Sequence, residues 1–128
     1  SVIIVLFHLG LTYINNILFW LFCQIYYIIF VGEYMKIITA KTYMQKLTGL
    51  MGKKNINYGM FFPGVSSIHT FFMKESIDVI GLNDAMIVTS IYENVKPNKI
   101  LILKNANHTL ELPKGESKHY HIGQKVKF

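Results

Sequence analysis

Between positions 68 and 82 the sequence IHTFFMKESIDVIGL sets a histidine, an aromatic pair, a lysine, a glutamate and an aspartate in an otherwise apolar run. Lys74 and Asp78 stand four residues apart across Glu75-Ser76. Two chemistries fit that spacing. In one, Lys74 binds a small anionic ligand, Asp78 orients it, and His69 or Glu111 titrates. In the other, the two charges flank a tight corner and pair there, a brace worth about 0 to 1 kcal/mol if exposed. On an extended chain Ile68, Thr70, Phe72 and Lys74 share one face, and His69, Phe71 and Met73 the other. His69 and Lys74 therefore part company unless a bulge intervenes.

Other chemistry-bearing residues offer less. His119 and His121 would face one way on a strand and supply two nitrogens to a metal, but no third ligand is evident, so the pair reads as a solvated loop and no metal is expected. Gly49 and Gly52 are not followed by the Lys-Ser or Lys-Thr of a phosphate-binding loop, and no Gly-x-Ser-x-Gly elbow is present. No cofactor is implied. The formal net charge of +6 comes from 13 basic residues, all lysine, against 7 acids. These lysines are spread along the chain, and without arginine to fork onto guanine or phosphate, sequence-specific nucleic-acid reading is disfavoured. Lysines 36 to 54 could instead rest on anionic lipid headgroups.

The elements that must position these residues follow from periodicity. A short β-branched stretch at 35–39 suits a first strand. In KTYMQKLTGLMGKK, Met44, Leu47, Leu50 and Met51 recur at three- and four-residue intervals, predicting an amphipathic helix with these residues inward. Thr39 or Thr42 would cap it, and Gly52 before Lys53-Lys54 would stop it. Strands are predicted at 59–62, 68–73, 77–82, 85–92, 99–103 and 109–112, with a last short one at 125–128. Asn83-Asp84 is the expected hairpin turn, its residue types tolerating positive φ. The fold class is mainly β (α+β): a small antiparallel, barrel-like sheet of about seven strands plugged by one helix.

Before this comes a stretch of different composition. From 1 to 31 there is no charged residue. A helix needs about 20 apolar residues to cross a bilayer, so a hydrophobic N-terminal helix spanning the membrane is predicted within 1–34, with Asn15-Asn16 as its weak point. The lysines on its C-terminal side leave a domain at 35–128 facing the cytoplasm. The alternative is that Met35, the first methionine, starts the protein, which makes it soluble and cytoplasmic and the upstream residues an artefact of AT-rich sequence. Cys23, the one cysteine, can form neither an internal disulfide nor a metal cluster.

Four blocks in order, GLMGKK at 49–54, GMFF at 59–62, SIHTFFMKESIDVI at 67–80 and LELPKG at 110–115, resemble the bacterial and archaeal family called domain of unknown function 192. The likeness runs from about 36 to 128. It implies a compact β-rich domain with a helix, and it sets His69, Phe72, Met73, Lys74, Asp78 and Glu111 at the patterned polar and aromatic positions. Glu75-Ser76 stands where related members often carry Phe-Pro, Asn83 replaces a common Asp, and Gln124 replaces the Asp of a terminal Gly-Asp. The resemblance implies no activity.

The residues together point to an accessory or small-ligand-binding domain, its ligand held by His69, Phe72, Lys74, Asp78 and Glu111. Phe61, Phe62, Phe71 and Phe72 would divide between the core and a shallow pocket with Lys74 and Asp78 at its rim. The rival reading is an enzyme acting on a small anionic or sugar-like substrate, with His69 or Asp78 as acid/base.

Overall fold

The computed structural model describes residues 35–128 and, before them, Leu21 alone. The predicted hydrophobic helix within 1–34 lies outside the described residues, among which no helix is long and apolar enough to cross a membrane. Met35–Phe128 form one compact unit.

Seven strands, β1 (Ile37–Thr39), β2 (Gly59–Phe62), β3 (Ser67–His69), β4 (Ile77–Leu82), β5 (Val88–Val95), β6 (Ile100–Ile102) and β7 (His108–Pro113), are joined by a helix α1 (Tyr43–Thr48) and a 3₁₀ turn at Glu116–His119. Five strands form one sheet in the order β1-β2-β7-β4-β5, and β3 pairs β6 in a separate ribbon. The β1–β2 pairing is parallel, unlike the rest of the large sheet.

The sheet is not a barrel. Its edges, β1 and β5, stay apart, and apolar side chains cover both of its faces. On one face Met60, Phe62, Ile77 and Val79 pack with Leu50, Met73, Leu103 and Ala106. On the other, Ile80, Leu82, Leu110 and Leu112 pack with Val88 and Val126. A strand covered on both faces must be apolar at successive positions, and every residue of β4 is buried. The continuous run IDVIGL carries that message, and it fits an open sheet covered on both faces better than the expected barrel-like one.

The helix departs furthest from expectation. Thr42 caps it through a reciprocal box with Gln45, the Thr42 hydroxyl accepting from the Gln45 N–H at 3.1 Å and the Gln45 side chain accepting from the Thr42 N–H at 3.1 Å. It closes after Thr48 at Gly49, whose φ is +47°, not at Gly52. The apolar spacing 44, 47, 50, 51 therefore runs across a break. Met44 and Leu47 are 61% and 48% exposed, no residue of α1 is buried, and Leu50, beyond the helix end, is fully buried. It is the turn after the helix, not the helix, that plugs the core.

Smaller corrections concern strand ends. The strand predicted at 68–73 stops at His69, because the Thr70 hydroxyl and backbone bond to the 96–99 turn and Phe72 takes a φ of +61°. The strand predicted at 85–92 is shifted to Val88–Val95. In the turn before it the Asn83 side chain accepts from the Ala85 and Ile87 N–H groups, and the positive φ falls on Met86. At the C-terminus a single bridge, Ile87 to Lys125, replaces the strand predicted at 125–128.

Candidate functional site

β4 and β7 run antiparallel with Asp78 opposite Leu112 and Val79 opposite Glu111. Because side chains alternate along a strand, this register sends the two acids to opposite faces of the same sheet. Both are buried, Asp78 to 1% and Glu111 to 6% relative exposure. Their surroundings differ completely.

Asp78 is saturated with donors. Its Oδ1 accepts from the Asn94 N–H at 2.9 Å, and its Oδ2 accepts from the Gly115 and Ser117 N–H groups, each at 2.9 Å. Burial works to raise its pKa, but the Asn94 amide, the Ser117 hydroxyl and the Ser117 and Gly115 amides together prevail, holding the carboxyl below the ordinary aspartate range. Gly115 supports this grip with a φ of +91°, a left-handed conformation that other residues adopt only under strain. The carboxylate ties the end of β5 to the 113–119 turn. No Lys74–Asp78 ion pair is formed among the described residues, and Lys74 lies exposed. The corner brace is therefore real but built from backbone amides, and the lysine takes no part.

Glu111 has the opposite fate. Desolvation pushes its carboxyl up to about 7, with the Leu50 backbone N–H pulling the other way. Its Oε2 is buried and has no hydrogen-bond partner among the described residues. Beside it the chain lacks a side chain: a Cβ placed on Gly49 would lie 3.1 Å from Glu111 Oε2 and 3.1 Å from Phe62 Cζ. Gly49, left-handed at the helix end, thus lets the backbone come down on the carboxyl.

Glu111 lines a cleft of about 170 Å³ together with Gly49, Leu50, Phe62, His69 and Phe71. His69 enters from the end of β3, its ring stacked on Phe71 with centroids 5.3 Å apart and planes at 27°. Its Nδ1 is also buried and unpartnered. Among the described residues three buried side-chain polar atoms lack a protein partner, Ser90 Oγ being the third; two of them line one cleft. Buried polar groups are nearly always paired, and two of these three exceptions belong to residues of one cleft.

Of the residues singled out in the sequence, His69 and Glu111 share this cleft, while Phe72, Lys74 and Asp78 are not part of it. Phe72 is 74% exposed, and the pocket rim expected from Lys74 and Asp78 does not form. Phe62 and Phe71 line the cleft, whereas Phe61 packs edge-on to Phe128 and His108 across the sheet. Sequence reasoning missed Gly49 and Leu50 as site residues; the glycine directly after an amphipathic run was the available signal. His119 and His121 are exposed, and no three His, Cys, Asp or Glu side chains among the described residues gather to hold a metal.

An open, mainly β sheet buried on both faces, with a carboxyl-bearing cleft beneath the helix end, defines a small β-rich domain. The model of the DUF192 family, described as an uncharacterized ACR, matches residues 29–128, and the chain belongs to that family. It is 35% identical over 83 residues to a UPF0127 protein of Thermococcus sibiricus, covering 59% of this chain and 53% of that protein. A UPF0127 protein of Thermococcus kodakarensis is 33% identical over 86 residues, covering 62% of this chain and 55% of that one. The chain thus spans about half the length of these curated relatives. Among solved structures, a protein of unknown function from Novosphingobium aromaticivorans superimposes with a TM-score of 0.66 at 21% identity, over 73% of this chain and 75% of that one. A putative transcription regulator from Sinorhizobium meliloti gives 0.64 at 20% identity, over 71% and 79%. At such identities the likeness concerns the fold.

Proposed function

We propose that this chain is a small-ligand-binding accessory domain whose site is the cleft between Gly49, His69 and Glu111. The observation that carries the reading is the pair of buried, unpartnered atoms, Glu111 Oε2 and His69 Nδ1, in one cavity. Leaving such groups unsatisfied costs about 1 to 3 kcal/mol each, a cost that a bound ligand removes. The anionic ligand suggested by Lys74 fits this cleft poorly. Its buried acid repels an anion, and Lys46, the cation of the lining, has its ammonium on the Pro63 carbonyl at 2.9 Å.

A second reading is favoured by one observation. A carboxyl whose pKa lies at about 7 is matched to general acid–base work near neutrality, so Glu111 with His69 beside it could act on a bound substrate. Asp78 does not suit that role, since its oxygens are occupied by amides.

Backbone-amide NMR of the full chain, with a fragment library and product formation followed in parallel, tests both. Binding is expected to shift the Gly49, Leu50 and His69 resonances, and Glu111→Gln to weaken it. Shifts confined to Phe72 and Lys74 would refute the cleft reading, and product formation lost in Glu111→Gln would favour the enzyme.

A further inference from the structure

Resting on the ligand-binding reading above, we infer that the cleft takes a protonated amine carried on a short apolar or aromatic body, its ammonium seated between Glu111 and His69. The argument begins with donors and acceptors. An ionised carboxylate accepts only, and a neutral imidazole with its proton on Nε2 accepts at Nδ1. With Glu111 ionised and the His69 proton on Nε2, the two orphaned atoms are two acceptors, on residues that line one cavity. A hydroxyl brings one donor; an ammonium brings three. A primary amide brings two and can serve both acceptors, but only the ammonium also brings the positive charge that an ionised Glu111 lacks.

Charge points the same way. Placing a carboxylate where water is excluded is unfavourable unless an opposite charge accompanies it, and among the described residues Glu111 has no ion-pair partner. Three titratable side chains face the cleft: Lys46, His69 and Glu111. The Lys46 ammonium turns to the Pro63 carbonyl and forms no ion pair with Glu111 among the described residues, which leaves the place beside the carboxyl open to a ligand's cation. The remaining wall is apolar. Leu50, Phe62, Phe71 and Met73 suit a hydrocarbon or aryl body, and aromatic faces add attraction for a cation. Gly49 keeps the approach free, since a side chain there would crowd both Glu111 Oε2 and Phe62.

The test uses the full chain and three probes of similar size: 2-phenylethylamine, 2-phenylethanol and phenylacetamide, titrated by NMR at Gly49 and His69. The amine is expected to bind at least about tenfold more tightly than either neutral probe, and Glu111→Gln to abolish that preference. In the wild type the amine affinity falls about tenfold between pH 8 and pH 6, because protonation removes the Glu111 charge across its pKa of about 7. That profile needs no variant, so the test stands even if Glu111→Gln folds poorly. Equal affinities for the three probes, or an amine preference that survives in Glu111→Gln, would overturn the amine assignment and leave a ligand cleft in place. Failure of every fragment, of any charge, to shift Gly49 or His69 would overturn the cleft as well.

Discussion

Asp78 and Glu111 sit on adjacent strands of one sheet, one register step apart, and both are withdrawn from water. Asp78 faces the end of β5 and the turn at 113–119, whose N–H groups point at it, so it is ionised, bonded and structural. Glu111 faces apolar side chains and a glycine, so its proton is held up to about pH 7 and one oxygen is left over. The same carboxyl chemistry yields a rivet in one case and an unsatisfied acid lining a cleft in the other. What decides is whether the local backbone supplies donors.

The contrast can be broken most forcefully at Asp78. Asp78→Ala orphans three amide donors at once and is expected to cost about 3 to 5 kcal/mol in urea denaturation at pH 7. A loss under about 1 kcal/mol would mean that the amides are satisfied by other means.

Glu111→Gln should move stability the other way. The folded-state pKa of about 7 lies above the ordinary value of 4.5, so the native state binds the proton more tightly. Stability from this group is intact below about pH 4.5 and lost as pH rises towards 7. At pH 8 the variant is expected to be more stable than wild type by as much as about 3 kcal/mol, shrinking to about zero at pH 4. A variant destabilised at both pH values would show that Glu111 is a second brace.

Two smaller changes sharpen the picture. Ser117→Ala removes a hydroxyl donor from Asp78 and should cost about 1 kcal/mol, measurable by the same denaturation series. Lys74→Ala should leave stability within about 0.5 kcal/mol of wild type, since its side chain is exposed and unpaired with Asp78; a larger loss would restore the lysine to the brace.

The sheet was legible where local rules are strong. The strands predicted at 59–62 and 77–82 are found at those residues, each a short apolar run beside a break such as Pro63-Gly64 or Asn83. Asp78 and Glu111 were both singled out in the sequence, Asp78 for its spacing from Lys74 and Glu111 as a possible titrating group at a patterned position of the family resemblance. Their roles were not legible, because amide donors at 94, 115 and 117 and a glycine 62 positions before Glu111 meet them only through tertiary register. The helix face misled because its periodicity was counted across Gly49, where the backbone changes hand.

Helix α1 buries none of its side chains, yet its last residues, Lys46, Leu47 and Thr48, form part of the cleft wall. An element held by a cap and few packed atoms opens at lower free energy than the strands behind it. Its amide protons should exchange with deuterium far sooner than those of β4. The cleft is thus bounded by a wall that loosens readily on one side and by the firm sheet on the other.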